Sequence, residues 1–137
     1  MSSRRERDVR EFRTFMPDNT MLVEQDGRLH FVFEKDTEVK VPFTIALYHD
    51  PDENGYCAHL IAPEIEEAWK SVHVGHLFKD GVICLGGESM RAKSTLREAY
   101  GKSCLWAEGM GIMITSHLRG EPCEFPFSSN NSPDEVL

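Results

Sequence analysis

The chain is 137 residues long, which allows one hydrophobic core and leaves no room for a second domain. Its hydrophobic fraction of 40% and charged fraction of 28% are ordinary for a globular protein, and no apolar run approaches the roughly 20 residues that span a bilayer. A net charge of −8 argues against nucleic acid as a partner, because phosphate binding normally rests on a basic surface.

The N-terminal residues carry positive charge with no apolar stretch behind it, so no signal peptide is expected. With that, four cysteines point to free thiols in a reducing compartment, the cytoplasm by default. Residues 4–13 are predicted to form a short helix, with Val9, Phe12 and Met16 on one face. Its arginines, Arg4, Arg5, Arg7, Arg10 and Arg13, outnumber Glu6, Asp8 and Glu11. They suit either a solvated, salt-bridged helix or a docking surface for an acidic partner.

Pro17 breaks this segment. Met21–Gln25 and Arg28–Phe33 flank Asp26-Gly27, a strong hairpin signal. Val39–Tyr48 reads as a third strand, with Pro42 near its start, where a missing donor is best tolerated. After a polar turn, Tyr56–Ala62 reads as a fourth. Four short strands joined by brief turns suggest an antiparallel meander.

After Pro63, residues 64–74 are expected to be irregular or briefly helical, with Trp69 packed on the sheet. His76–Leu85 then places two apolar pairs around an Asp80-Gly81 turn, and Gly86–Ser89 leaves as a flexible loop. Thr95 and Glu98 have the spacing of a capping box. Leu96, Tyr100, Cys104, Ala107, Gly111, Ile114 and Leu118 follow at steps of three and four on one helical face. Leu105, Trp106, Met110, Ile112 and Met113 lie off that face, so the helix is expected to be buried on more than one side. Gly101, Gly109 and Gly111 weaken it unless something packs closely there. His117, Arg119 and Gly120 supply stop signals. Residues 1–127 form the expected domain and 128–137 a polar, disordered tail. The fold class is α+β.

The run His76–Leu85 resembles the active-site signature of ubiquitin-conjugating enzymes: His-Pro-Asn, a hydrophobic pair, a short turn, then Ile-Cys-Leu. Leu77 and Phe78 match the pair, Asp80-Gly81 the turn, and Ile83-Cys84-Leu85 the tripeptide. The element order is similar as well, over roughly residues 4–119: N-terminal helix, meander, extended cysteine segment and core helix. The chain departs from the pattern at His-Pro-Asn, which falls on Val74-Gly75-His76, and at the family's Tyr-Pro, which has no clear equivalent unless Ala62-Pro63 is a remnant of it. Few residues follow the core helix, where eukaryotic members continue with further helices. Such divergence resembles the bacterial members associated with CBASS antiphage operons.

The resemblance implies a UBC-like fold and an enzyme that carries a protein C-terminus as a thioester on Cys84 and transfers it to a lysine amine. The implied cargo is a ubiquitin-like protein or a cyclic-nucleotide synthase. The family's activating enzyme would act in trans, since the chain has no nucleotide-binding motif and no cofactor is implied. His76 stands where the family's asparagine stabilises the oxyanion; it can donate a ring N–H or deprotonate the amine. It equally suits a hydrogen bond to a backbone carbonyl.

Cys84 can alternatively be core, since free cysteine is among the most buried residue types. Cys57 and Cys104 read as structural, and Cys123 as exposed. His73 and His76, with Cys57, His59 or Cys84, offer a weak zinc pattern that lacks any Cys-x-x-Cys spacing, and no metal is expected. A non-catalytic UBC-like binding module is the second functional reading. It is favoured by loss of the asparagine and opposed by retention of Cys84. A redox role lacks a resolving cysteine next to Cys84.

Overall fold

The computed structural model describes residues 3–86 and 89–127. The tail expected at 128–137 and the Gly87-Glu88 part of the expected loop lie outside them.

Helix α1, Arg4–Glu11, starts at Ser3, whose hydroxyl accepts the Glu6 N–H, and passes into a 3-10 turn at Phe12–Thr14. Phe12 and Met16 are buried as expected, but Val9 is 39% exposed. Asp8, four residues before Phe12, turns inward instead. Its carboxylate accepts the Tyr56 hydroxyl at 2.6 Å and an Arg4 N–H at 3.1 Å, which offsets the cost of burying charge.

The meander is antiparallel: β1 Met21–Gln25, β2 Arg28–Asp36, β3 Pro42–Asp50 and β4 Gly55–Ala62, in that spatial order. Asp26 and Gly27 both have positive φ, 55° and 74°, as a two-residue turn between β1 and β2 requires. Register places Phe31 opposite Leu47, Phe33 opposite Ile45 and Leu47 opposite Ala58, so one face carries the apolar ladder. The Ala62-Pro63 peptide that ends β4 is cis.

Helix α2, Leu96–Leu118, crosses that apolar face. Thr95 caps it by accepting the Glu98 N–H at 3.1 Å, while Glu98 accepts the Thr95 and Ser94 hydroxyls. Tyr100 meets Phe33, and Trp106 meets Phe43 edge-on at 5.5 Å. The β2–β3 turn covers another side of α2. Buried Glu108 accepts the Glu38 N–H with both carboxylate oxygens, and a Cβ on Gly111 would lie 3.0 Å from Val39 Cγ2. Burial on more than one side is therefore observed. Leu118 departs from its expected place: it is 78% exposed, at the last residue of α2. Trp69, in the 3-10 turn Glu67–Trp69, meets His117 of α2 edge-on at 5.5 Å, so the end of the helix is its neighbour as well as the core.

Candidate functional site

The expected Asp80-Gly81 turn forms, as the tip of a small hairpin over residues 76–84 whose hydrogen bonds fix Cys84. Phe78 O accepts the Gly81 N–H at 3.0 Å and Phe78 N–H donates to Val82 O at 2.8 Å, with Gly81 at φ 91°. This is a three-residue loop closed by a left-handed glycine. Leu77 bridges Ile83, and Cys84 N–H donates to His76 O at 3.0 Å. The hairpin then joins the sheet: Ile83 N–H donates to Ala58 O at 2.8 Å, and Leu60 N–H to Gly81 O at 2.9 Å. The cysteine segment thus continues the sheet beyond β4.

Asp80 braces the turn. Its carboxylate accepts the Val82 N–H at 3.1 Å and an Arg91 N–H at 2.6 Å, and the Arg91 guanidinium lies over the Phe78 ring. Burial pushes the Asp80 pKa up, but the bonds from Arg91 and Val82 outweigh it and leave the value below the ordinary one. Further along, Leu85 N–H donates to Met90 O, and Lys93 pairs with Tyr56 through both backbone groups, which returns the chain to the start of β4.

Cys84 is only 5% exposed, and its Sγ lies 3.8 Å from Gly86 O. His76 shares its surroundings. Both side chains line a cavity of about 20 Å³ with Leu85, Lys102, Leu105, Trp106, Phe125 and Phe127. That volume is about what one water occupies. The sequence pairing of Cys84 with His76 is therefore also a pairing in space.

His76 is held in an unusual way. Its φ is 52°, a left-handed conformation that costs a residue with a Cβ about 1–2 kcal/mol. Gly75 before it passes so close to the Trp69 carbonyl that a Cβ there would collide with the oxygen. On the other side the buried Trp106 Nε1–H donates to Gly75 O at 2.8 Å. The ring sits 4.5 Å from the Phe125 ring, and its Nδ1 is buried without a hydrogen-bond partner among the described residues. Burial, and secondarily His73, lower the pKa below the usual 6.5, so the ring is neutral near pH 7. A neutral imidazole can accept a proton or donate one N–H, as the chemistry of an amine attack requires.

Compared with protein-family models, curated proteins and solved structures, the chain has no match.

The remaining cysteines fall where their surroundings suggested. Cys57 and Cys104 are buried, and desolvation raises both thiols to about 11, while Cys123 is exposed. Among the described residues no group of three or more His, Cys, Asp or Glu side chains is arranged to hold a metal ion. The basic face of α1 is largely engaged: Arg4 with Asp8, Arg5 with Glu24, and Arg13 over the Phe12 ring.

Sequence reasoning missed four contributors. Trp106 was read as apolar surface, yet its N–H anchors the loop before His76. Phe125 and Phe127 were passed over, although two aromatics in a short Pro-containing stretch were a readable sign of docking. Arg91 carried no local signal, because its partners Asp80 and Phe78 are more than ten positions away.

Proposed function

We propose that this protein is a ubiquitin-conjugating-like acyl carrier. The Cys84 thiolate attacks the activated carbonyl carbon of a protein C-terminus and expels the activating group, leaving a thioester. A lysine amine then attacks the thioester carbonyl. The amide forms, the thiolate departs, and the ammonium proton passes to the neutral imidazole of His76 or to solvent.

The observation that carries this reading is the convergence of Cys84 and His76 on one cavity, from a hairpin hydrogen-bonded to the last strand of a meander. A cysteine filling core space has no use for a neighbouring imidazole whose buried Nδ1 has no partner among the described residues, since leaving such an atom unbonded costs about 1–3 kcal/mol. The cargo is the C-terminus of a ubiquitin-like protein or of a cyclic-nucleotide synthase, with activation supplied in trans, in the cytoplasm of a bacterium defending itself against phage. No helix of the described residues is long and apolar enough to cross a membrane.

Thioester trapping tests this. The protein is recovered from its native host and its intact mass read with and without reductant. A reductant-sensitive adduct on the wild type, turned into a reductant-resistant ester in Cys84→Ser, supports the carrier and gives the cargo's mass. Absence of any adduct while the partners are expressed and energised sinks it. The burial of Cys84, at 5% exposure, favours a second reading in that event, a non-catalytic UBC-like binding module.

A further inference from the structure

After α2 the chain turns back toward the cavity that Cys84 lines. Gly120, at φ 75°, reverses direction, with Gly120 N–H donating to His117 O at 3.0 Å and Glu121 N–H to Ser116 O at 2.9 Å. Among the described residues, the Glu121 bond is the last backbone–backbone hydrogen bond of the chain. From Gly120, five extended residues reach at most about 17 Å. Gly109 lies nine residues back from Leu118, about 13 Å along the helix axis, so Phe125 can reach it.

Phe125 does reach it. A Cβ on Gly109 would lie 2.8 and 2.9 Å from the two Cε atoms of the Phe125 ring, so the ring fills the notch that the missing side chain leaves. Its other face lies against His76, with centroids 4.5 Å apart and planes at 34°. Phe127 stands edge-on to Phe125 and lines the same cavity as Cys84. Phe125 and Phe127 are half-buried while Glu124 and Pro126 are exposed, the two-residue alternation of an extended segment lying on a surface.

We infer that residues 121–127 are a cis-acting strap that closes the Cys84 site in the resting protein, with Phe125 in the Gly109 notch as its latch. The inference deepens the acyl-carrier reading by adding regulation to the same site, and it rests on that reading for its purpose. Cys84 is 5% exposed in a cavity that Phe125 and Phe127 also line, so on this reading loading requires the strap to lift. The latch is made of ring contacts that a partner with its own aromatic or aliphatic side chain can replace. Opening is then a population shift: the partner binds the lifted form and draws the equilibrium toward it.

The test needs no cargo. Cys84 alkylation by iodoacetamide is followed by peptide mass mapping in the full chain, with Cys123→Ser removing the exposed thiol. Phe125→Ala removes the latch. Gly109→Ala keeps the latch and fills its notch, while gaining helix propensity that counters any loss of fold. Cys57 and Cys104, buried elsewhere, report general loosening.

The strap predicts Cys84 alkylation faster by about tenfold or more in both variants, the response to a closed-state bias reduced by about 1.4 kcal/mol. Cys57 and Cys104 should keep their slow rates. An unchanged Cys84 rate in either variant overturns the strap, and so does an increase matched by Cys57 and Cys104. If alkylation accelerates at Cys84 alone but thioester trapping finds no adduct, the strap stands and the acyl-carrier reading fails.

Discussion

Replacing Trp106 with phenylalanine isolates the bond that ties α2 to the loop before His76. The substitution keeps an aromatic ring against Phe43 and removes the Nε1–H that Gly75 O accepts at 2.8 Å. Both residues are buried, so the carbonyl is left unsatisfied, at a cost of about 1–3 kcal/mol. The smaller ring adds about 1 kcal/mol for lost contact and residual cavity, giving about 2–4 kcal/mol in all. At about 2.1 cal/mol/K per residue, the entropy of unfolding 137 residues is about 290 cal/mol/K, so 2 kcal/mol corresponds to a fall in Tm of about 7 °C. Urea unfolding and thermal melts of the two proteins measure this, with Trp69→Phe, at a half-buried position, as the comparison. A loss below about 1 kcal/mol for Trp106→Phe, or no greater than that for Trp69→Phe, would refute the assignment of this hydrogen bond as an anchor.

Tyr56→Phe should destabilise by about 1.5–3 kcal/mol in urea titrations, because it strips the 2.6 Å bond from the buried Asp8 carboxylate and leaves it with Arg4 alone. The same contact raises the Tyr56 pKa, after burial itself, so the phenol should resist ionisation at pH values where a free tyrosine titrates. His76 makes stability depend on pH with a definite sign. Burial and His73 lower its folded pKa below 6.5, so the unfolded chain binds more protons in that window. Its contribution is present above pH 6.5 and is lost as pH falls through 6.5 toward the folded value. Chemical denaturation from pH 7.5 down to about 5 should show a shallower loss in His76→Asn than in the wild type, and parallel curves would remove His76 from the account.

Much of the fold was readable because its signals are local. Asp26-Gly27 fixed the first hairpin, since few residue pairs accept two positive φ values in succession. Thr95 with Glu98 marked where α2 starts. The errors came where tertiary contact overrode periodicity. Val9 was assigned to the buried face of α1, but Tyr56 draws Asp8 inward, and the helix settles with its carboxylate toward the core. Leu118 fits the apolar spacing of α2 yet is 78% exposed at the last residue of the helix.

The candidate site divides in the same way. Sequence alone indicated the Asp80-Gly81 turn, because turn chemistry acts over a few residues, while the extended cysteine segment and the pairing of Cys84 with His76 came from the family resemblance. Only tertiary structure decided that the buried His76 Nδ1 has no hydrogen-bond partner among the described residues, that Trp106 pins Gly75, and that Phe125 returns from beyond α2 to stack on His76. The Trp106–Gly75 and Phe125–His76 contacts each join residues more than 30 positions apart. Burial, desolvation and hydrogen bonds of that kind depend on which surfaces meet once the helix has crossed the sheet, and no local pattern encodes that meeting.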